Sequence, residues 1–229
     1  MGTLSIIVPV LNEAGAIASH LTALAPVRER GAEIVLVDGG SEDGTLDEAE
    51  GLADRTVIAP RGRASQMNAG ARLAKGETLL FLHADTRLPP DADRIVQRAL
   101  ETRSWGRFDV VIEGAHPMLP VVAAMMNRRS RLTGIATGDQ GIFVRATTFR
   151  AVGGFPDIPL MEDIALSTRL RTLGRPACLS ERVTTSGRRW ETRGVGRTIL
   201  TMWRLRLAYA FGADPHRLAV AYGYRPRDV

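Results

Sequence analysis

Short apolar runs alternate with longer stretches of helical periodicity through the first half of the chain. Strands are predicted near residues 4–10, 33–38, 55–58 and 78–82, and helices over residues 14–24, 45–52, 64–74 and 91–102. The strand segments are apolar almost without interruption, which is typical of a parallel sheet covered on both faces. The alternation therefore predicts an α/β fold, with a mostly parallel central sheet flanked by helices.

The pattern is less regular after residue 105. It predicts strands over residues 108–113 and 141–145, helices over residues 118–132, 147–152, 162–173 and 195–211, and a last short helix after Pro215. No linker separates the two halves. Residues 1–229 are therefore predicted to form a single domain whose C-terminal segment is helical.

Three of the predicted strands run directly into polar or acidic residues. Asn12 and Glu13 follow the first strand, Asp38 ends the second, and Asp85 comes shortly after the fourth. Ligands of open α/β sheets bind just beyond the carboxyl ends of the strands. We therefore expect Asp38 and Asp85 to face one crevice, and Asp163 from the second half to meet them there.

The composition indicates an anionic partner. The chain has 229 residues and a formal net charge of +5, and Lys75 is its single lysine. Because arginine suits phosphate and carboxylate groups, the candidate partners are anionic lipid, nucleic acid and phosphorylated small molecules. Aromatic residues make up 5% of the chain, which disfavours stacking on single-stranded nucleic acid, and we predict no nucleic-acid partner. The single Cys178 excludes an internal disulfide and a thiolate metal cage.

The ends and apolar runs of the chain bear on its location. No signal-peptide pattern is visible, and no apolar run reaches the roughly 18 residues that span a bilayer. We therefore expect a cytoplasmic protein. Leu200, Trp203, Leu207 and Phe211 fall near one stripe of a basic helical segment, which indicates either peripheral contact with the inner face of a membrane or packing on a core.

Two loops carry groups that suit a nucleotide. Asp38 and Gly39 stand where a strand ends and a glycine lets a ligand approach the backbone, although Asp-Gly is also common in ordinary turns. Arg61 and Arg63 precede a predicted helix, whose first N–H groups attract phosphate. A solvated surface loop is the alternative explanation for the two arginines.

Two pairs of ionisable residues suit catalysis. His83 and Asp85 are two residues apart, so on an extended segment both side chains would point the same way and share a Mg²⁺ or Mn²⁺ ion with substrate phosphates. Glu162 and Asp163 begin a predicted helix, whose N-terminus stabilises carboxylates. A packed histidine and a helix cap are the respective alternatives.

Taken together, the segments resemble a family 2 glycosyltransferase of the GT-A fold. The resemblance is carried in order by residues 7–13, 37–45 (Val-Asp-Gly-Gly-Ser-Glu-Asp-Gly-Thr), 68–70, 82–85 (Leu-His-Ala-Asp), 153–155 and 162–170. The His-Ala-Asp form and the small size also resemble an uncharacterised bacterial subgroup, the transferases associated with radical-SAM and selenodomain proteins.

The resemblance implies a nucleotide site in the first half. Pro9 and Glu13 would hold the base and ribose of a nucleoside diphosphate, with Asn12 beside them. Asp38 would contact the nucleobase, next to Gly39.

It also implies a phosphate and metal site. Arg63 and Asn68 would line the nucleotide pocket. Ala84 and Asp85 match the second half of the family's Asp-X-Asp motif, which holds Mn²⁺ or Mg²⁺, and His83 stands where its first aspartate is usual.

The second half supplies the remaining implied roles. Asp163, with Glu162, matches the general base of the family's Glu-Asp motif, and Asp139 falls beneath the donor sugar and acceptor. Arg189 would contact the diphosphate and Trp190 would stack on a sugar. The glutamine of the late motif of processive members is missing, which argues against a processive polysaccharide synthase.

The implied enzyme is an inverting, metal-dependent hexosyltransferase. It would move one sugar from a UDP- or GDP-linked donor to a hydroxyl acceptor on a small molecule or lipid. Residues 1–105 would bind the nucleotide sugar, 106–190 the acceptor, and 191–229 would add C-terminal helices. Two alternatives stay open: a sugar-phosphate nucleotidyltransferase, whose usual basic first loop is lacking in residues 11–15, and a non-catalytic nucleotide-sugar-binding protein.

Overall fold

The computed structural model describes residues 3–224, and the eight strands in this range form one sheet. The strands are β1 (Leu4–Val10), β2 (Glu33–Asp38), β3 (Arg55–Ile58), β4 (Thr78–Phe81), β5 (Thr86–Arg87), β6 (Trp105–Glu113), β7 (Ile142–Arg145) and β8 (Ala177–Ser186). Their order is β3-β2-β1-β4-β7-β6-β8-β5. The pairs β1–β2, β1–β4, β2–β3 and β6–β8 are parallel, whereas β7 and β5 pair antiparallel with their neighbours. The predicted mostly parallel α/β sheet is confirmed.

The helices follow the predicted pattern closely. They are α1 (Ile17–Thr22), α2 (Ala25–Glu29), α3 (Thr45–Glu48), α4 (Arg63–Leu73), α5 (Ala92–Thr102), α6 (Leu119–Thr133), α7 (Ala146–Ala151), α8 (Glu162–Leu173), α9 (Arg188–Arg193), α10 (Val195–Ala210) and α11 (Pro215–Tyr222), with a 3₁₀ turn at Gly138–Gln140. The predicted helix over 14–24 begins later, because side chains of the β2–α3 region bind the N–H groups of Ala14 and Gly15. Among residues 3–224, no helix is long and apolar enough to cross a membrane.

The long strand β8 is absent from the sequence-based prediction. Its residues are half-buried or exposed except for Val183 and Thr185, so no apolar run marks it. It is held instead by parallel backbone pairing with β6 along Asp109–Glu113. A strand that depends on backbone pairing leaves little periodic signal in the sequence.

Alternate residues of β1 enter two hydrophobic cores on opposite faces of the sheet. Ile6 and Val8 pack in the core that contains Ile17 of α1. Ile7 packs in the other core, with Met67 of α4. Because β1 is buried on both sides, its carboxyl end is held at a defined position relative to β2 and β4.

A third, smaller core joins the C-terminal helices to the segment before α8. Leu205 of α10 and Leu218 and Tyr222 of α11 pack with Leu160 and Met161. The C-terminal segment is therefore attached to the start of α8, where the predicted acidic pair lies.

The contact between α4 and the sheet gives a stability prediction. A Cβ added to Gly70 would lie 2.5 Å from Cγ2 of Ile7 and 2.9 Å from Cγ2 of Val37. Both strands are buried, so neither side chain can move freely away. We expect Gly70→Ala to lower the free energy of unfolding by about 1–3 kcal/mol through overpacking, measured by urea denaturation.

Gly196→Ala in α10 is the matched control. A Cβ at Gly196 meets no atom within 4 Å. The change should be neutral or slightly stabilising, because alanine is the better helix former. Equal unfolding midpoints for the two variants would contradict the proposed close approach of α4 to the sheet.

Candidate active site

A cleft of about 480 Å³ lies beyond the carboxyl ends of β1 and β4. Sequence-distant segments form its wall. The predicted site residues that line it are Pro9, Glu13, Arg61, Arg63, His83, Ala84, Asp85, Asp139, Arg189 and Trp190. The crevice expected from the strand ends is therefore present, and it brings acidic and basic side chains together.

Glu162 and Asp163 lie directly behind the cleft wall. Nη1 of Arg63 is 3.9 Å from Oε1 of Glu162, whose side chain is 5% exposed. Oδ2 of Asp163 accepts a hydrogen bond of 2.9 Å from the backbone N–H of Gly138. Because Arg63 and the neighbouring Asp139 line the cleft, both acids are adjacent to it.

The backbone conformation of Met161 sets the position of this acidic pair. Met161 has φ of 69°, in the left-handed region that residues other than glycine rarely occupy. Its side chain is 3% exposed and packs in the third core. Packing that holds a residue in such a conformation is frequent where a site needs a defined geometry.

Burial makes the acidic pair weaker acids than usual. Burial raises the pKa of Glu162 to about 7, the charge of Asp163 adds to the rise, and Arg63 opposes it. Burial also raises the pKa of Asp163, against hydrogen bonds from two backbone N–H groups. A carboxylate with a raised pKa is better suited to accept a proton near neutral pH.

The pKa of Asp139 is shifted in the opposite direction. Burial alone would raise its pKa, but the hydrogen bond and charge of His83, with the charges of Arg189 and Arg63, lower it to about 2. Nδ1 of His83 is 3.4 Å from Oδ1 of Asp139. Asp139 is therefore a permanent negative charge in the cleft wall.

The expected alignment of His83 with Asp85 is wrong. Strand β4 ends at Phe81, and the N–H of Thr86 donates to the carbonyl of His83, so residues 83–86 form a turn and not an extended segment. His83 lies against Gly138, where an added Cβ would be 2.3 Å from Cε1 of the imidazole. His83 has Asp139 and Gly138 as neighbours and lines the same cleft as Asp85, and its role as a joint metal ligand with Asp85 stays a prediction.

Asp85 has the character of a cation ligand. Among residues 3–224, no three metal-ligating side chains come together. Asp85 lines the cleft, forms no ion pair within this range, and its Oδ1 accepts only from the Thr86 hydroxyl, at 3.2 Å. Burial raises the pKa of Glu13, and the charge of Asp85 contributes to the rise. This excess negative charge fits a hard divalent ion, which uses one or two carboxylates together with substrate phosphates.

The Asp38 loop is closed on itself. Asp38 is 1% exposed, and its carboxylate accepts hydrogen bonds from the backbone of Gly40 and from Ser41. Gly39 is packed against the side chain of Gln66. Asn12 joins the β1 and β2 loops by accepting from the N–H of Glu42 at 2.9 Å. None of Asp38, Gly39 and Asn12 is among the residues that line the cleft.

Asn68 lies away from the cleft, in contrast to its expected place in the nucleotide pocket. Its side chain donates to the carbonyl of Phe155 at 2.8 Å and accepts from the N–H of Phe155 at 3.0 Å. Asn68 therefore connects α4 to the segment between α7 and α8. The expected convergence is partial: Asp85 lines the cleft and Asp163 adjoins it, whereas Asp38 is turned into its own loop.

Several cleft residues were not found by sequence reasoning. They include Gln66, Asp157, Thr185, Arg188, His216 and Tyr224. Thr185 belongs to the unpredicted strand β8, and His216 and Tyr224 belong to the C-terminal segment. No local pattern marks the last two residues, because only folding brings the end of the chain back to the cleft.

The chain matches a known family. The profile of Glycosyl transferase family 2 matches residues 5–152, more than half of the chain, and the chain therefore belongs to this family. The predicted enzyme class, a glycosyltransferase, is confirmed, and it is favoured over the nucleotidyltransferase and binding-protein alternatives.

Two curated relatives match part of the chain. A PGL/p-HBAD biosynthesis glycosyltransferase of Mycobacterium bovis is 43% identical over 91 residues, 37% of this chain and 36% of the relative. An undecaprenyl-phosphate 4-deoxy-4-formamido-L-arabinose transferase of Proteus mirabilis is 31% identical over 160 residues, 62% of this chain and 48% of the relative. The matched part spans about a third to a half of the length of these relatives.

A solved structure supports the fold. The mannosyltransferase PcManGT from Pyrobaculum calidifontis, in complex with GDP-Man and Mn²⁺, superposes with a TM-score of 0.66 and 23% identity. The superposition covers 90% of this chain and 61% of that chain. The predicted GT-A fold is confirmed.

A buried histidine beneath the site gives a pH prediction. His20 in α1 is 7% exposed, its Nε2 has no hydrogen-bond partner in the described part of the chain, and burial lowers its pKa to about 4, partly offset by Asp85. As the pH falls from 6.5 towards 4, the unfolded chain binds a proton that the folded chain excludes. We expect wild type to lose roughly 3 kcal/mol relative to His20→Phe across this window, measured by denaturant unfolding at several pH values.

The exposed His116 provides the control, as His116→Phe. A His20→Phe variant whose stability tracks that of wild type at every pH would show that His20 is not buried in its neutral form.

Proposed function

We propose that the protein transfers one sugar, with inversion, from a UDP- or GDP-linked donor to a hydroxyl group of an acceptor. The observation that carries the proposal is the convergence of Arg63, Arg189 and Asp85 on one cleft, with Asp163 adjoining it. Two cations and a free carboxylate suit a diphosphate with its counter-ion, and the adjoining acid suits proton transfer. The GDP-Man bound by PcManGT supports a nucleotide-sugar donor.

The donor would lie along the cleft from β1 towards α9. Pro9 and Glu13 would contact the nucleoside, and Arg63 and Arg189 would neutralise the diphosphate as it leaves. Trp190 offers an aromatic face to a sugar, because it too lines the cleft.

A divalent ion fits this arrangement. Asp85 would hold Mn²⁺ or Mg²⁺ together with the donor's phosphate oxygens, and the ion, when bound, supplies Lewis acidity at the diphosphate. The Mn²⁺ in PcManGT supports this assignment. His83 is the second proposed metal ligand, and its Nδ1 also contacts Asp139.

Asp163 is the proposed general base. The acceptor oxygen attacks the anomeric carbon, its proton passes to Asp163, and the bond between that carbon and the diphosphate oxygen breaks with its electron pair leaving on the diphosphate. A single displacement of this kind inverts the configuration. The raised pKa of Asp163 and the fixed backbone donors on its carboxylate support the role.

The division of the chain into functional parts and its subgroup within the family are also proposals. Residues 1–105 would bind the nucleotide sugar, 106–190 the acceptor, and 191–229 would add C-terminal helices, with residues 1–2 and 225–229 lying outside the described residues. The sequence His83-Ala84-Asp85 supports membership of the subgroup associated with radical-SAM and selenodomain proteins.

Contact with an anionic membrane surface is proposed for α10. Leu200, Trp203 and Leu207 are 61–65% exposed and Phe211 is 84% exposed, although the opposite side of the helix packs in the third core. Arginines accompany the exposed apolar stripe and α10 contains no acidic residue. The name of the Proteus mirabilis relative, an undecaprenyl-phosphate 4-deoxy-4-formamido-L-arabinose transferase, supports a lipid acceptor at such a surface.

The role of Asp163 predicts a specific loss. Asp163→Asn should leave donor binding unchanged and lower kcat by roughly 10²–10⁴-fold, because the amide cannot accept the acceptor's proton. Turnover would be followed by release of the nucleoside diphosphate and donor binding by calorimetry.

Asp91→Asn is the isosteric control, since the Asp91 side chain is 59% exposed at the start of α5. A turnover for Asp163→Asn within about twofold of wild type would falsify the base assignment.

The membrane proposal predicts selective loss of lipid binding. Trp203→Ser and Leu207→Ser should each weaken co-sedimentation with phosphatidylglycerol-containing vesicles by about tenfold or more at low salt. Ile58→Ser is the control, because Ile58 is 68% exposed on the edge strand β3. Failure of the wild-type protein to sediment with these vesicles would rule out the membrane contact.

A further inference from the structure

Tyr222 contacts two arginines beside the cleft. Its hydroxyl accepts a hydrogen bond of 2.9 Å from Nη1 of Arg189. The centroid of its ring is 5.8 Å from Cζ of Arg189 and 5.2 Å from Cζ of Arg193. Nη1 of Arg193 also donates to the Tyr222 carbonyl at 3.2 Å. Arg189 is therefore oriented by a residue 33 positions later in the chain.

Tyr224 makes the corresponding contact with the other cleft arginine. Its ring centroid is 5.9 Å from Cζ of Arg63, and Tyr224 itself lines the cleft. The opposite partner of Arg63 is Glu162, at 3.9 Å. Arg63 thus lies between a carboxylate of α8 and an aromatic ring of the C-terminal segment.

The side chains of Tyr222 and Tyr224 contact each other. Their rings are stacked, with centroids 6.0 Å apart and planes at 22°. Tyr222 is 8% exposed and packs with Leu160 and Met161, which precede the acidic pair. Both Arg63 and Arg189 lower the pKa of Asp139, so the two guanidinium groups act on the same part of the cleft.

Ordering of these arginines has a consequence for ligand affinity. A free arginine side chain has many rotamers, and fixing it on binding costs free energy. Aromatic contacts and a hydrogen bond that already hold the guanidinium remove part of that cost. The effect is specific to a ligand that both arginines contact.

We propose that Tyr222 and Tyr224 are positioning residues of the donor site, which hold Arg189 and Arg63 in the orientation that binds the donor's diphosphate. The proposal deepens the proposed function and rests on it, because it requires a nucleoside-diphosphate ligand. It makes the C-terminal segment part of the donor site, in addition to any role on the acceptor side.

The first test isolates the hydrogen bond to Arg189. Tyr222→Phe keeps the ring and removes the hydroxyl acceptor, so the Kd of UDP or GDP, measured by calorimetry with Mn²⁺, should rise roughly 3- to 10-fold. In an Arg189→Ala background the same change should have little further effect, because the donor to the Tyr222 hydroxyl is gone. An unchanged Kd for Tyr222→Phe, or losses that simply add in the double variant, would overturn the assignment of Tyr222.

The second test isolates the ring over Arg63. Tyr224→Ala should raise the Kd of the same nucleotide roughly 3- to 30-fold, whereas Tyr224→Phe, which keeps the ring face, should stay within about twofold of wild type. A phenylalanine variant as weak as the alanine variant would overturn the assignment of Tyr224.

A nucleoside probe separates positioning from a structural role. Uridine and guanosine lack phosphates, so their binding should be the same in wild type and in the tyrosine variants. Val220→Ala, at a 58% exposed position of α11, should match wild type in Tm and in nucleotide affinity. Equal weakening of nucleoside and nucleoside diphosphate would overturn positioning in favour of a structural role.

The outcome for the wild-type protein separates this inference from the proposed function. If wild type binds neither UDP nor GDP, the proposed function fails and this inference fails with it. If wild type binds one of them and the tyrosine variants bind it equally well, only the positioning role fails.

Discussion

The position of Arg63 connects three distant parts of the chain. It begins α4, pairs with Glu162 at the start of α8, and lies beneath the ring of Tyr224 from the C-terminal segment. Burying the charge of a carboxylate such as Glu162 costs free energy unless a cation or hydrogen bonds accompany it. The pairing therefore holds α8 against the first half of the sheet, and in doing so it forms the back of the cleft. Met161 packs in the third core, and its left-handed backbone conformation comes directly before the two acids of α8.

The cleft contains acids with opposite tendencies. Asp139 stays ionised because His83 and two arginines face it, whereas burial makes Glu162 and Asp163 weaker acids. Carboxylates whose environments separate their pKa values can take different roles at one pH. The proposed transfer requires positive charge near the diphosphate, which Arg63 and Arg189 would supply, and a proton acceptor near the acceptor hydroxyl.

The C-terminal helices pack beside the acidic pair and also reach the cleft. One face of α10 packs on the core that contains Met161, while the other carries exposed Trp203 and Phe211. Helix α11 then brings Tyr224 to the cleft. An acceptor at a lipid surface and a donor in the cleft would thus meet the same short segment. Unlike the strands of the first half, this segment carries no sequence motif that marks a site. Its contribution to the cleft is therefore visible only in the folded chain.

The sequence by itself determined the parallel core of the sheet and most of the crevice. Apolar runs and periodicity report burial and backbone geometry, so β1, β2 and β4 were predicted, and with them the cleft positions of Glu13 and Asp85, whereas that of Pro9 was implied by the family resemblance. Only the tertiary structure decided that residues 83–86 turn, that Asn68 binds Phe155, that Asp38 closes its own loop, and that the polar strand β8 exists. The physical reason is that these features depend on hydrogen bonds and packing between residues far apart in the chain. Local periodicity carries no information about such partners, and the contact of Tyr224 with Arg63 is the clearest case.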